Sequence, residues 1–180
     1  GVRMNAVRIF AAAAMVSAIA LVDVYLSQYE VSGPELLTDI GFKTALDGWS
    51  RAGPDASISV KDGVVELRNG DPSQSVSLQR RIELPVDLQA ISVAAWMASQ
   101  GVRKGPRSWN TARLFAVPFD DQGKPIWRSP HLVAAVEGDT DWVFHEAMIV
   151  IPDDARGVDL GIQMSRAVGV LSIHGLSLRP

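Results

Sequence analysis

The sequence predicts an all-β sandwich of about eight or nine strands preceded by one transmembrane α-helix. Three observations lead there. Residues 5–26 are almost free of charge, the remainder divides into short β-rich runs separated by turn residues, and those runs alternate apolar and polar side chains without the 3.6-residue spacing of an amphipathic helix.

The first element is the stretch from Asn5 to Leu26, 22 residues in which only Arg8 and Asp23 are charged. As a helix it is about 33 Å long at roughly 1.5 Å per residue, which suffices for the ~30 Å hydrocarbon layer of a bilayer. Arg8 and Asp23 then lie at the two interfaces, with Tyr25 and Tyr29 placed as an aromatic anchor. Arg3 and Arg8 precede the apolar run while Asp23, Glu30, Glu35 and Asp39 follow it. The positive-inside tendency therefore puts the N-terminus in the cytoplasm and the body outside a bacterial inner membrane. A cleaved leader is the rival reading, because Ala18-Ile19-Ala20 fits a small-x-small cleavage site. Ala11, Ala14 and Ala18 share one helical face, and small residues let helices pack closely in lipid. That face is the expected contact with other membrane subunits.

Ser32-Gly33-Pro34 closes this region, since the residue before proline avoids the α conformation. Nine strands are expected thereafter: 57–60, 64–67, 75–82, 90–97, 112–119, 132–136, 143–151, 158–164 and 168–178. Between them stand Lys61-Asp62-Gly63, Asn69-Gly70-Asp71-Pro72, Asp120-Asp121-Gln122-Gly123, Glu137-Gly138-Asp139 and Pro152-Asp153-Asp154, all turn sequences. Two domains follow: residues 1–32 as cytoplasmic tip and membrane helix, and 33–180 as the extracytoplasmic sandwich.

Three stretches resemble one family. Leu36-Leu37-Thr38-Asp39-Ile40-Gly41-Phe42 with Leu46-Asp47-Gly48-Trp49, then Asp141-Trp142 with Ile149-Val150-Ile151-Pro152-Asp153-Asp154-Ala155, and finally Gly169 to Leu178 are similar to the opening, the penultimate strand and the closing strand of the jelly-roll carbohydrate-binding modules of families four and nine. The resemblance implies a jelly-roll sandwich and a glycan ligand. It also implies a structural calcium ion, but the acidic positions that hold it are replaced here by Lys43 and by His174-Gly175. A hard cation needs several oxygen ligands, so this site is expected to be lost.

The composition excludes several functions. There is no cysteine, hence no disulfide, zinc thiolate or thiol catalysis. A net charge of -3 with interspersed signs gives no footprint for nucleic acid. Neither G-x-S-x-G nor H-E-x-x-H occurs, His131, His145 and His174 are scattered, and the paired carboxylates at 120–121, 139 with 141, and 153–154 read as turn caps. The chain is therefore expected to be no enzyme and to need no cofactor or metal.

Sugar recognition rests on flat aromatic faces with polar groups beside them. Trp49, Trp96 and Trp142 are expected in the core. Trp109 and Trp127, flanked by polar loop residues, are the candidate stacking residues, with Asn110, Arg113 and Arg128 as polar helpers. The run 99–107 with Arg103, Lys104 and Arg107 is expected to be a basic loop suited to anionic lipid or an acidic partner. Two functions remain open: an accessory subunit of a larger membrane complex, photosynthetic or respiratory, or a membrane-tethered module binding cell-wall or exopolysaccharide glycans. Titrating the protein with calcium in a calorimeter is expected to give no saturable micromolar heat, and such a heat would restore the ion site.

Overall fold

The computed structural model describes Leu36, Phe42 and residues 46–180, all within the unit formed by Gly33–Pro180. The expected membrane helix, with Ala11, Ala14 and Ala18, lies outside the described residues. Among the described residues no helix is long and apolar enough to cross a membrane.

Ten strands form: β1 Ser50–Ala52, β2 Ile58–Lys61, β3 Val64–Asn69, β4 Ser75–Glu83, β5 Ala90–Arg103, β6 Ala112–Asp120, β7 Leu132–Val136, β8 Gly138–Val150, β9 Ala155–Ser165 and β10 Val168–Arg179. They make two antiparallel five-stranded sheets, ordered β1-β4-β9-β6-β7 and β2-β3-β10-β5-β8. All nine expected strands are present. β1 is not among them, and the largest boundary differences are that β5 continues through 99–103 and that β8 begins at Gly138 inside the expected turn. The basic stretch is thus partly strand rather than wholly loop. Register shifts between Met97 and Ser99 and between Ser99 and Val102 absorb Gly101, whose φ of 59° suits glycine.

Local turn chemistry fixes the hairpins. Asp62 and Gly63 have φ of 51° and 78°, the two left-handed positions of a type I′ turn, and they join β2 to β3 with a two-residue loop. Asp120 Oδ1 accepts from the amides of Gln122 and Lys124 at 2.9 and 2.8 Å, so this carboxylate caps its turn as the sequence implied.

Alternation then builds the core. Val76, Leu78, Leu114, Leu160, Ile162 and Met164 from the first sheet meet Val65, Leu67, Ile91, Val93, Met97, Leu171, Ile173 and Leu178 from the second, all of them fully buried. Each such side chain contributes about 1.5–3 kcal/mol relative to exposure. Phe42 and Trp49 close one side with ring centroids 5.7 Å apart.

β9 lies between β4 and β6 and carries two glycines on its outward side. A methyl group on Gly161 would run into the ring of Phe115, and one on Gly157 into the Ile82 carbonyl and the ring of Phe119. Gly161→Ala is expected to destabilise the fold by about 1–3 kcal/mol, as overpacking of a filled site does, measured by urea denaturation. An unchanged midpoint would show that Phe115 moves aside freely.

Candidate functional site

The outer face of the first sheet is assembled from three neighbouring strands whose register sets side chains in rows. Ser77, Gln163 and Arg113 make one row, Gln79, Gly161 and Phe115 the next, Arg81, Asp159 and Val117 the third, and Glu83, Gly157 and Phe119 the fourth. Because β9 offers only a backbone at Gly161 and Gly157, the two phenylalanine rings lie across it and are themselves buried, 7% and 5% exposed. The apolar rings thereby become a floor.

Two arginines lie over that floor. The Arg81 guanidinium sits 4.3 Å from the centre of the Phe119 ring and bonds both Asp159 oxygens at 2.8 and 2.7 Å, with a further bond to the Gly123 carbonyl at 3.1 Å. The bond to Asp159 raises its pKa further. Arg113 stands 5.2 Å over Phe115 and donates to Gln163 Oε1 through Nε and Nη2, at 3.2 and 2.7 Å. Burial lowers its pKa from the ordinary guanidinium value, and its partner, a neutral carboxamide, returns no charge. Arginine stays protonated regardless. The face therefore holds one planar cation paired with a carboxylate and one that, among the described residues, is bonded to a carboxamide, each stacked over a ring.

Both candidate tryptophans are exposed beside it. Residues 124–126 run alongside β6: Asp120 N donates to Lys124 O at 2.9 Å and Ile126 N to Pro118 O at 2.7 Å. Ile126 is buried, and the next residue, Trp127, is 61% exposed with its ring 5.3 Å from His131 in an edge-on contact. Trp109, 52% exposed, stands in the loop that leads into β6, with the Arg107 guanidinium 5.2 Å over its ring. Trp109 thus precedes the Arg113 end of β6, and Trp127 follows the residue that bonds Pro118 toward its other end.

The other sequence candidates divide. Arg128 is exposed and bonds Asp154 through Nη2 at 2.6 and 2.7 Å, which holds the Asp154 carboxyl below its usual range. Asn110 is buried, 2% exposed: its Nδ2 donates to Ser165 Oγ and its Oδ1 accepts from Arg107 N, both at 3.1 Å. Its amide holds the Trp109 loop against the end of β9.

Trp96 and Trp142, expected in the core, are each 41% exposed. On β5 the inward places belong to Val93, Ala95 and Met97, so Trp96 points outward, and on β8 Trp142 shares that outward side with Phe144. On the outer face of the second sheet Trp96 lies parallel to His174 at 6.1 Å and tilted to Phe144 at 5.5 Å, while Trp142 meets His174 edge-on at 4.5 Å. His174, where the resemblance implied a calcium ligand, is a member of this aromatic group. Lys43 lies outside the described residues.

The architecture defines a class of protein, the antiparallel β-sandwich of two five-stranded sheets. No family model matches the chain, and no curated protein is similar to it in sequence. Among solved structures it is similar to the enzymatically active domain of tailspike protein 4 of bacteriophage CBA120, at 13% identity and TM-score 0.58, over 81% of this chain and 21% of that one. It is similar also to the second N-terminal cellulose-binding domain of β-1,4-glucanase C from Cellulomonas fimi, at 16% and 0.53 over 83% and 96% of the two chains. A third is TmCBM61 in complex with β-1,4-galactotriose, at 15% and 0.52 over 82% and 99%. The chain spans only 21% of the tailspike protein. At these identities the likeness establishes the fold: the body is a jelly-roll-like sandwich of the kind carbohydrate-binding modules adopt.

Replacing Asn110 by Ala is expected to cost about 1–3 kcal/mol, the penalty for stranding buried partners, as a fall in the denaturation midpoint. An unaltered midpoint would return Asn110 to the list of ligand contacts.

Proposed function

We propose that this chain is a non-catalytic glycan-binding module that takes a saccharide chain on the outer face of its first sheet. The observation that carries this reading is the combination of exposed Trp127 and Trp109 with the guanidinium and carboxamide groups of Arg113 and Gln163 fixed above buried phenylalanine rings. Sugars present apolar C–H faces and rings of hydroxyls, and this face offers an aromatic partner for the one and rigid donors and acceptors for the other. Preorganisation matters here, since groups already held in place lose little freedom on binding. Arg113, lacking a carboxylate of its own, is the donor best suited to a ligand oxygen. The similar binding modules support this reading more than that of an accessory subunit in a membrane complex.

We propose further that residues 5–26 tether the module to the bacterial inner membrane, with the sandwich outside, where cell-wall or exopolysaccharide chains are met. Its support is the apolar length and the charge asymmetry of the sequence.

A glycan array is expected to return a set of bound saccharides. Trp127→Ala or Trp109→Ala, both at exposed positions, is expected to weaken the best of them about tenfold or more without changing the melting temperature, since 1.4 kcal/mol is a factor of ten. An array with no signal would end this reading.

A further inference from the structure

A sheet edge is a row of unpaired amides and carbonyls, and proteins blunt such edges by keeping them short or by placing charged side chains, Pro or bulges on them. Three of the four sheet edges are short. β1 has three residues and carries Arg51, β2 has four and ends at Lys61, and β7 has five. β8 is the long edge: it has 13 residues, GDTDWVFHEAMIV, whose charges are the three carboxylates Asp139, Asp141 and Glu146, and among the described residues its ladder is made on one side only, to β5, with Ser129 Oγ donating to the Val150 carbonyl at 3.2 Å near one end.

The same strand carries the largest group of exposed apolar side chains. Trp142, Val143, Phe144, Met148 and Val150 are 41, 45, 49, 65 and 56% exposed, five of the ten large hydrophobic residues exposed in the described structure. Val143 pairs with the buried Met97 and so stands on the inward side, yet it remains open to solvent. Each side of the strand thus exposes apolar surface, interspersed with the exposed carboxylates Asp139, Asp141 and Glu146. This band differs from the face of the first sheet in its aliphatic members Val143, Met148 and Val150, which continue the exposed apolar surface beyond the rings of Trp142 and Phe144.

We propose that β8 is a self-association edge, on which a second copy of this chain adds its own β8 antiparallel, with the two-fold axis at Phe144. The charges on the strand favour this occupant in this direction. The two-fold sets Asp139 opposite the partner's Ile149, Asp141 opposite the partner's Ala147, and Glu146 opposite the partner's Trp142, so no carboxylate faces another. A parallel arrangement in register sets every carboxylate beside its own copy, which is destabilising. Antiparallel pairing also brings Phe144 against its symmetry mate and joins the two second sheets into one of ten strands, an isologous and closed arrangement. It goes beyond glycan binding and stands without it.

The test uses the full chain in mild detergent. The protein has no cysteine, so Phe144→Cys introduces the sole thiol at a half-exposed position. Directly opposed residues of an antiparallel pair lie at Cα separations that a disulfide spans. Under mild oxidation this variant is expected to form disulfide dimers at least about tenfold faster than the loop variant Asp121→Cys, the gain of holding two thiols at high effective concentration. Adding Met148→Lys and Val150→Lys is expected to remove that gain. Mixing Thr140→Cys with Met148→Cys, which the two-fold brings opposite each other, is expected to give heterodimers and serves if Phe144→Cys fails to fold. Dimers driven by residues 5–26 alone would cross-link the two sites equally and overturn the proposal. It would fail as well if Phe144→Lys abolished glycan binding while no variant cross-linked above the loop control, which would make the band a ligand surface instead.

Discussion

On the outer face of the first sheet the rings of Phe115 and Phe119 occupy the space above Gly161 and Gly157 that side chains of β9 would otherwise fill. This close approach sets the height of everything around it. Arg113 and Arg81 extend over the rings instead of into solvent, and their hydrogen bonds to Gln163 and Asp159 are drawn from the same strand that supplies the glycines. With a β-branched residue at position 161, the ring would be lifted, the guanidinium displaced and the row structure lost. Two missing side chains therefore determine where the polar atoms of the face sit.

The inward side of β9 imposes the complementary constraint. Val158, Leu160, Ile162 and Met164 are fully buried against the opposite sheet, so the strand cannot slip by one residue without carrying four large apolar side chains outward and Asp159 and Gln163 into the core. The register that builds the core is thus the register that orders the face. Stability and recognition share one alignment, and a strand with weaker inward packing could not hold the outward groups in rows.

The two outer faces then diverge for a physical reason. In the first sheet the rings of Phe115 and Phe119 are covered by planar cations, with guanidinium, carboxylate and carboxamide groups above them. In the second, Trp96, Trp142, Phe144 and His174 meet one another, and the hydrogen bond of 2.6 Å from Ser92 Oγ to Glu146 Oε1 adds a polar contact on that side. Cation-π stacking keeps a ring wet-side compatible, whereas ring-on-ring contact leaves apolar edges toward water. A patch of the second kind is stable when covered.

Much of this was legible from residue order and part of it was not. Turn chemistry located the strands well, as the Asp62-Gly63 hairpin shows, because φ above zero at two successive positions admits few residue types. β1 leaves no trace in the sequence, since Ser-Arg-Ala has neither length nor alternation, and the 99–103 stretch reads as a loop because Gly101 and its charges resemble a turn, although the glycine serves a bulge within one long strand. The apolar run Val93-Ala94-Ala95 around Trp96 masks the period of two, and Trp142 reads as core only through its family resemblance; counted strictly, the inward places fall on Val93, Ala95 and Met97, and Trp96 must face out. Asn110 and the glycine-phenylalanine stacking lay beyond reach for a different reason. Their roles depend on Ser165, Gly157 and Gly161, residues tens of positions away that only strand pairing brings near. Sequence patterning decides which side of a strand a residue takes, while what stands opposite it is a property of topology, and a binding face is made of both.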